Sequence, residues 1–455
     1  MMRRAYPAIA WPVLPDGLGA RLLALLHQLE QSEFLDRADL ERRQFDSLAN
    51  VLDHAVRTVP FYRERPAYAA LSRRAPLDAA AWMELPILSR ADVQDAGDSI
   101  VSTAIPPDHL PLAETLSSGS TGRPLRAFTT EVTRLFWLAV TLRDHSWHGR
   151  DFTGTMAYIR MDGSGAPPPE GRLHPDWGEP AGAVADTGPS ALLSIQCDVP
   201  DQAAWLERVN PDYLLTLPSN ALALARHFSA RSRTLPRLAE VRTMGEALGP
   251  EVRRACRDAW GAPVTDMYST SEIGYIALQC PSGEQYHVQS EVVYVEVLDD
   301  DGHLCRPGET GRIVVSQLHN FAMPLLRYDT GDYAEAGEPC SCGRGLPVLA
   351  RIVGRQRNLM TLPNGERMMP VFGDAWRDID AIRQIQLVQH AVDRFEARVV
   401  VARPLTADEE DRFATVLQRK LGYSLEVRFS YLERIDREAT RKFEDFVCLL
   451  TPTSA

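Results

Sequence analysis

Between Trp205 and Tyr268 three short apolar segments, Tyr213 to Leu217, Glu240 to Met244 and Val264 to Tyr268, alternate with two stretches of helical spacing, Asn220 to Arg231 and Pro250 to Trp260. Few architectures accept that order. It is the pattern of an α/β layer in which helices cross over the strands of a sheet. Upstream, Leu22, Leu25, Leu26 and Leu29, then Phe45, Leu48, Leu52, Ala55 and Val56, recur at helical spacing with a break near Ser32 to Ala38, which predicts two helices. Val59 before Pro60 should end the second, because a residue preceding proline is pushed out of the helical region. Leu85-Pro86-Ile87-Leu88 reads as an extended segment leading to Ser89 as a helix cap. A helix is expected over Glu131 to Ser146, a strand over Gly154 to Met161, and a long loop over the Gly- and Pro-rich Gly163 to Pro189.

Downstream the chain turns β-rich. Val292 to Leu298 and Gly311 to Gln317 flank an Asp and Gly turn at Asp299 to Gly302, a hairpin pattern. Near Gly354 the character changes again. Ile382 to Val388, Phe395 to Val401 and Leu425 to Tyr431 read as strands, and Thr406 to Leu421 as a helix with a Thr406–Glu409 capping box. The expected fold class is therefore α/β, with a large multi-layer domain over residues 1–353, containing mixed sheets and a β-rich part, and a small separate α+β domain over 354–455.

The net charge of -12 argues against a broad nucleic-acid or anionic-membrane surface, since those partners need clustered positive charge. No apolar run is long enough to cross a bilayer, and Met1-Met2-Arg3-Arg4 before a proline-broken segment makes a poor signal peptide, so a cytoplasmic protein is expected. Seven cysteines are an odd number and do not suggest a disulfide framework. A monomer or homodimer is expected.

The chemistry lies in short motifs. Ser117-Ser118-Gly119-Ser120-Thr121-Gly122-Arg123-Pro124 is a loop whose glycines let the backbone approach an anion and whose hydroxyls supply rotatable donors, although an ordinary flexible loop has the same composition. It lacks the lysine of a P-loop. Tyr268-Ser269-Thr270-Ser271-Glu272 follows a predicted strand and combines an aromatic face, hydroxyls and a carboxylate fit for Mg²⁺. Arg327-Tyr328-Asp329-Thr330-Gly331-Asp332 ends on a carboxylate after a glycine turn, suited to ribose hydroxyls. Arg351 and Arg355 stand four residues apart at the domain junction, within reach of phosphate oxygens or as surface salt bridges. Cys280, His287, Cys340 and Cys342 supply the soft ligand set of a tetrahedral structural zinc site, and equally read as ordinary reduced thiols with one imidazole. His145 and His148 read as helix-end residues, and Cys197, Cys256, Cys305 and Cys448 as inert thiols.

In this order, with a late lysine, the motifs resemble the adenylate-forming superfamily of acyl-CoA synthetases, adenylation domains and luciferases, and within it the phenylacetate-CoA ligase and CapK-like branch. Val59-Pro60-Phe61-Tyr62, Leu85-Pro86-Ile87-Leu88, Gly245-Glu246-Ala247-Leu248 and Gly308 to Val315 carry the branch-level likeness, which extends from about Leu40 to Val447. The resemblance implies that Ser117, Ser118, Gly119, Ser120, Thr121 and Gly122 cradle the β- and γ-phosphates of ATP. Gly245 and Glu246 would border the adenine with Tyr268 against its ring. Ser271 would lie near the α-phosphate, Glu272 would bind Mg²⁺, Asp332 the ribose, and Arg355 the ribose or phosphate. The late lysine maps to Lys442 in Thr440-Arg441-Lys442-Phe443, where arginine replaces the family's usual glycine.

The implied activity is activation of a small, aromatic or other organic acid as its acyl-adenylate, followed by transfer to a thiol, with CoA the first choice, or to an amine or a carrier thiol. A non-catalytic nucleotide-binding relative is the alternative of a different class. The resemblance also implies that the small domain carries the lysine and rotates about a hinge at Gly354 to Met360. There Gln356-Arg357-Asn358 replaces the usual acidic residue. Some phenylacetate-CoA ligase-like relatives carry a metal cluster near the Cys/His set.

Overall fold

The computed structural model describes residues 6, 8–9, 11–74, 76–116, 125–161, 170–355, 360–363, 367–368, 379–421, 423–433, 435 and 446–450. Two compact units divide the chain: Met1–Leu248 with Val252–Ile352, and Gly249–Glu251 with Val353–Ala455. The Ser117–Pro124 loop, Gln356-Arg357-Asn358 and Lys442 lie outside the described residues.

In the first unit, β1 (Ala113–Leu116) and β2 (Arg126–Thr129) form a separate antiparallel ribbon. The parallel layer consists of β3 (Met156–Arg160), β5 (Ser190–Ser194), β6 (Tyr213–Thr216), β7 (Glu240–Met244) and β8 (Val264–Thr270), with β4 (Arg172–His174) antiparallel at its edge. An antiparallel layer continues it through β9 (Gly274–Gln279), β10 (Tyr286–Val288), β11 (Val293–Leu298), β12 (Thr310–Gln317), β13 (Tyr328–Ala336) and β14 (Val348–Arg355), whose end from Val353 on belongs to the second unit. The strand order is β11-β12-β13-β14-β10-β9-β8-β7-β6-β3-β5-β4.

Alternation along the parallel strands sends neighbouring side chains to opposite faces, and both faces are covered. Leu214, Val241 and Val264 pack under the crossover helices Val199–Val209, Pro218–Ser229 and Pro250–Trp260, through Trp205, Leu224, Phe228 and Cys256. Leu215 and Met267 meet Leu22 and Leu29 of helix Gly17–Ser32 and Leu138 to Leu142 of helix Glu131–Trp147. A third cluster joins helix Arg37–Thr58, Tyr62 and Trp82 to the antiparallel layer.

The expected break after Val59 is real: Val59 is extended (φ -103°, ψ 113°). Proline then starts a new helical turn, Pro60–Arg63, because its fixed φ suits a first helical position. Gly163 to Pro189 is less featureless than its composition suggests. Its described part holds β4 and the helical turn Ala181–Val184. No described helix is long and apolar enough to cross a membrane.

The second unit holds the ribbon β15 (Met360–Thr361) and β16 (Arg367–Met368), and a four-stranded sheet. That sheet has the order β19-β18-β17-β20, with β17 (Ile382–Ala391), β18 (Arg394–Val401), β19 (Glu426–Tyr431) and β20 (Phe446–Cys448). Helix Ala407–Leu421 places Phe413 and Leu417 in its core with Phe395, Val399 and Phe446. The predicted capping box is present: Glu409 N donates to Thr406 Oγ1 and Thr406 N to Glu409.

Candidate active site

Because β6, β7 and β8 run parallel, their carboxyl ends lie on one edge of the sheet, where open α/β folds collect their ligand-binding residues. β7 is followed by Gly245, whose φ of +81° favours glycine, and the chain continues into Glu246. Both carboxylate oxygens of Glu246 accept from Ser219, one from its backbone N–H at 2.9 Å and one from its hydroxyl at 3.1 Å. Ser219 lies in the first turn of helix Pro218–Ser229, where a carboxylate satisfies an otherwise unpaired N–H. Glu246 thus ties the end of β7 to the helix that follows β6.

β8 turns into β9 through Ser271, Glu272 and Ile273, with Thr270 paired to Gly274 (φ +94°) and the Ile273 N–H bonded to Thr270 Oγ1. Ser271 is exposed, whereas Glu272 is buried. The Tyr328 hydroxyl donates to Glu272 Oε1 at 3.1 Å, and Arg90 approaches the same oxygen at 3.7 Å. Burial, reinforced by the Glu272 charge, pushes the Tyr328 phenol above its ordinary range, so it stays a donor.

Tyr268 and Asp332 meet directly. The Tyr268 hydroxyl donates to Asp332 Oδ2 at 2.9 Å, and burial with the Asp332 charge holds this phenol neutral as well. Asp332 follows Gly331 (φ +74°) in a stretch where the β12–β13 register shifts between Arg312 and Val314. Such an irregularity re-aims side chains beside a site. Thr330 steadies it by donating to the Ile313 carbonyl and accepting from Asp332 N.

Residues to which the motifs assigned no role also build this site. Leu88 forms a parallel bridge with Tyr328: Leu88 N donates to the Arg327 carbonyl and Asp329 N to the Leu88 carbonyl. The Leu85-Pro86-Ile87-Leu88 motif is therefore an added strand segment. Ser89 then caps helix Arg90–Ala96 in a capping box with Asp92 and delivers Arg90 to Glu272. Arg327, buried with φ +51°, forms a bidentate pair with Glu296 and donates to the Met83 and Leu85 carbonyls. Tyr328 itself stood in plain view before Thr330-Gly331-Asp332, but its hydroxyl partner depends on strand register. In the second unit, Arg355 closes β14 after Gly354 (φ +90°). Arg351, in the first unit, is paired with Glu335 at 2.8 Å, the salt-bridge reading of that residue.

A second constellation forms where β9, β10 and the loop before β14 converge. The Sγ atoms of Cys280, Cys340 and Cys342 and a ring nitrogen of His287 lie within 4.8 Å of one another. Cys280 Sγ is 3.7 Å from Cys340 Sγ, and Cys342 Sγ is 3.3 Å from His287 Nε2. Burial, helped by Arg344, lowers His287 to about 4, so its imidazole is neutral and its lone pair available to a metal. Three thiols and one neutral imidazole fit zinc and leave no open position. The loop is docked on the N-terminal helices: Gly345 N donates to the Glu33 carbonyl, and Arg344 pairs with the Glu33 carboxylate at 3.1 Å. His145 and His148, in contrast, sit in the last turn and at the end of helix Glu131–Trp147, as expected.

Comparison with known proteins gives a consistent outcome. The AMP-binding-enzyme family matches residues 188–323, which contain β6 to β9, and the CapK C-terminal domain family matches residues 363–447. Phenylacetate-coenzyme A ligase of Thermus thermophilus is 25% identical over 399 residues, covering 83% of this chain and 82% of that protein. Among solved structures, 2-hydroxyisobutyryl-CoA ligase in its postadenylation state superposes with a TM-score of 0.72 at 20% identity, covering 92% of this chain and 91% of the other. An anthranilate CoA ligase bound to anthranoyl-AMP reaches 0.52 at 16% identity, covering 73% and 64%.

Proposed function

This chain belongs to the adenylate-forming superfamily of ligases, in its phenylacetate-CoA ligase and CapK-like branch, and on that premise we propose that it couples ATP to the activation of a small carboxylic acid. The acid's carboxylate attacks the α-phosphorus, pyrophosphate leaves, and the resulting acyl-adenylate passes its acyl group to the thiol of CoA. AMP replaces hydroxide as the leaving group, which makes the second step feasible. The observation that carries this reading is the joining of two motif carboxylates to β8 and β13. Asp332 is held by Tyr268, and Glu272 by Tyr328, at the carboxyl edge of the parallel layer.

Each residue's part follows from its chemistry. Asp332, whose carboxylate the Tyr268 hydroxyl orients, accepts from the ribose hydroxyls. Gly245 gives the backbone close access to the base, and Glu246 braces that turn. Tyr268, hydrogen-bonded at its hydroxyl, presents its ring as a fixed wall to the adenine. Glu272 offers a hard oxygen ligand, fitting Mg²⁺, whose role when bound is to neutralise phosphate charge. Ser117 to Gly122 supply donors to the leaving pyrophosphate, Ser271 lies at the α-phosphate, and Arg355 and Lys442 supply positive charge. Catalysis then rests on in-line positioning and charge stabilisation rather than proton transfer. Cys280, His287, Cys340 and Cys342 hold a structural Zn²⁺. An aromatic acid is the substrate we favour, on the phenylacetate and anthranilate ligases among the relatives.

The test is pyrophosphate exchange into ATP across a panel of organic acids, comparing the parent with Glu272→Ala and Lys442→Ala. Acid-dependent exchange that falls by about 100-fold in each variant is expected, the size of one lost transition-state donor. Absence of exchange with every acid sinks the reading, and parent-like variants sink the residue roles. Gln356 in place of an acidic hinge residue favours one second reading, an amine as acceptor. Adenylation that yields product with amines and none with CoA selects it.

A further inference from the structure

The segment from Leu318 to Arg327 joins β12 to β13, and two of its flanking and inner side chains reach across to separate parts of the proposed nucleotide site. Asn320, 2% exposed, donates from Nδ2 to the Phe128 carbonyl at 2.9 Å. Its Oδ1 accepts from Ala322 N and Met323 N at 3.1 and 3.0 Å, which folds the segment tightly around the amide. The segment is itself anchored. The Ala322 carbonyl accepts from Ser102 N, the Phe321 carbonyl bonds His54 Nε2 at 2.9 Å, and the Pro324 carbonyl accepts from the Tyr62 hydroxyl.

Phe128 belongs to β2, two residues beyond the Leu116–Arg126 rung from which the Ser117–Pro124 loop departs. Among the described residues the β1–β2 ribbon joins no larger sheet, and a two-stranded ribbon alone is marginal in water. The Arg126–Asp98 pair beside it is exposed and adds little. Leu125 and Ala127 are buried in the core cluster that also holds Met323 and Leu326, and the Asn320 bond adds a buried polar tether whose direction fixes the register of β2 against the segment. Gln317, at the other end, donates from Nε2 to the Glu272 carbonyl at 3.1 Å and accepts at Oε1 from Leu325 N at 3.2 Å.

We propose that Asn320 and Gln317 are positioning residues that fix the β1–β2 ribbon and the Glu272 turn to a single anchored segment, setting the spacing between that ribbon and that turn. Neither touches substrate. This rests on the ligase reading for its kinetic consequence, but the tether itself is testable without turnover.

Asn320→Asp and Gln317→Glu retain one accepting oxygen, replace the donor with a second oxygen and bring a buried negative charge against the Phe128 or Glu272 carbonyl, so the tether is broken from that side. In Asn320→Asp, hydrogen exchange at the amides of Ala113–Leu116 and Arg126–Thr129 should accelerate by about tenfold, and the KM for ATP should rise by about tenfold while that for the acid stays within about twofold. In Gln317→Glu the Mg²⁺ concentration for half-maximal exchange should rise by a similar factor, about tenfold, with the β1–β2 amides unchanged. Parent-like exchange at β1–β2 in Asn320→Asp overturns the proposal. So does a rise of ATP and acid KM values together, in step with a lowered melting temperature. If the parent shows no acid-dependent pyrophosphate exchange, the ligase reading fails, and the hydrogen-exchange arm still decides whether Asn320 holds the ribbon.

Discussion

The hydroxyl of Tyr328 donates to Glu272 Oε1 at 3.1 Å, from the first residue of β13 to the turn after β8. Removing it with Tyr328→Phe deletes this bond and leaves Arg90 at 3.7 Å from the same oxygen. A loss of about tenfold in kcat for acid-dependent pyrophosphate exchange is expected, corrected in part by excess Mg²⁺. A parent-like titration of rate against Mg²⁺ would show that the phenol does not set the carboxylate's position.

Tyr268→Phe keeps the ring and deletes the 2.9 Å bond to Asp332. The expected outcome is an ATP KM raised roughly three- to tenfold with little change in kcat, since the loss is of binding common to ground and transition states. Steady-state kinetics with the acid saturating measures it.

Asp266 predicts a pH effect on stability. It is buried on β8, accepts from Thr243 Oγ1 at 2.6 Å and the Tyr286 hydroxyl at 2.7 Å, and faces the positive charge of Arg253. Burial outweighs these and raises its pKa to about 6. The folded protein then binds this proton more tightly than the unfolded chain. The stabilisation is fully present below the unfolded carboxyl value and is lost as pH rises through about 6. Asp266→Asn should flatten the decline in unfolding free energy between pH 5 and pH 7, a contribution on the order of 1–3 kcal/mol. Denaturant titrations at the two pH values check the sign.

Metal analysis of the purified protein should find zinc near one equivalent, and Cys342→Ser should lower both zinc content and melting temperature. Gly345→Ala tests the docking of the loop separately. A Cβ there falls on the Leu35 carbonyl, so the loop must withdraw from the helical layer. Its melting temperature should drop while zinc content holds.

The sequence revealed the local order more readily than the long-range contacts. Glu240 to Met244 and Pro250 to Trp260 coincide with their elements because apolar periodicity is a property of consecutive residues. The three-residue edge strand β4 was hidden by the glycines and prolines around it. Glu272, Tyr268 and Asp332 could be picked out as motif residues, but the hydroxyl contacts that hold the two carboxylates join β8 and the turn after it to β13, strands that are not neighbours in the sheet. The role of Arg90 depends on a bridge between Leu88 and Tyr328 that no local pattern encodes. Ser219 as the partner of Glu246 is likewise a consequence of parallel β6 and β7 lying side by side.

That Leu88–Tyr328 bridge also has a temporal side. On a ribosome adding about 5–20 residues per second, Leu88 emerges roughly ten to fifty seconds before the strand segment it must join. During that interval the backbone groups of Leu88 that later bond β13 have no partner there, and the apolar Leu85 to Leu88 run is open to solvent and to other nascent chains. The same connection that completes the Glu272 environment in the finished protein makes its assembly wait until Tyr328 has been made, and makes that wait a point at which a folding helper would have much to protect.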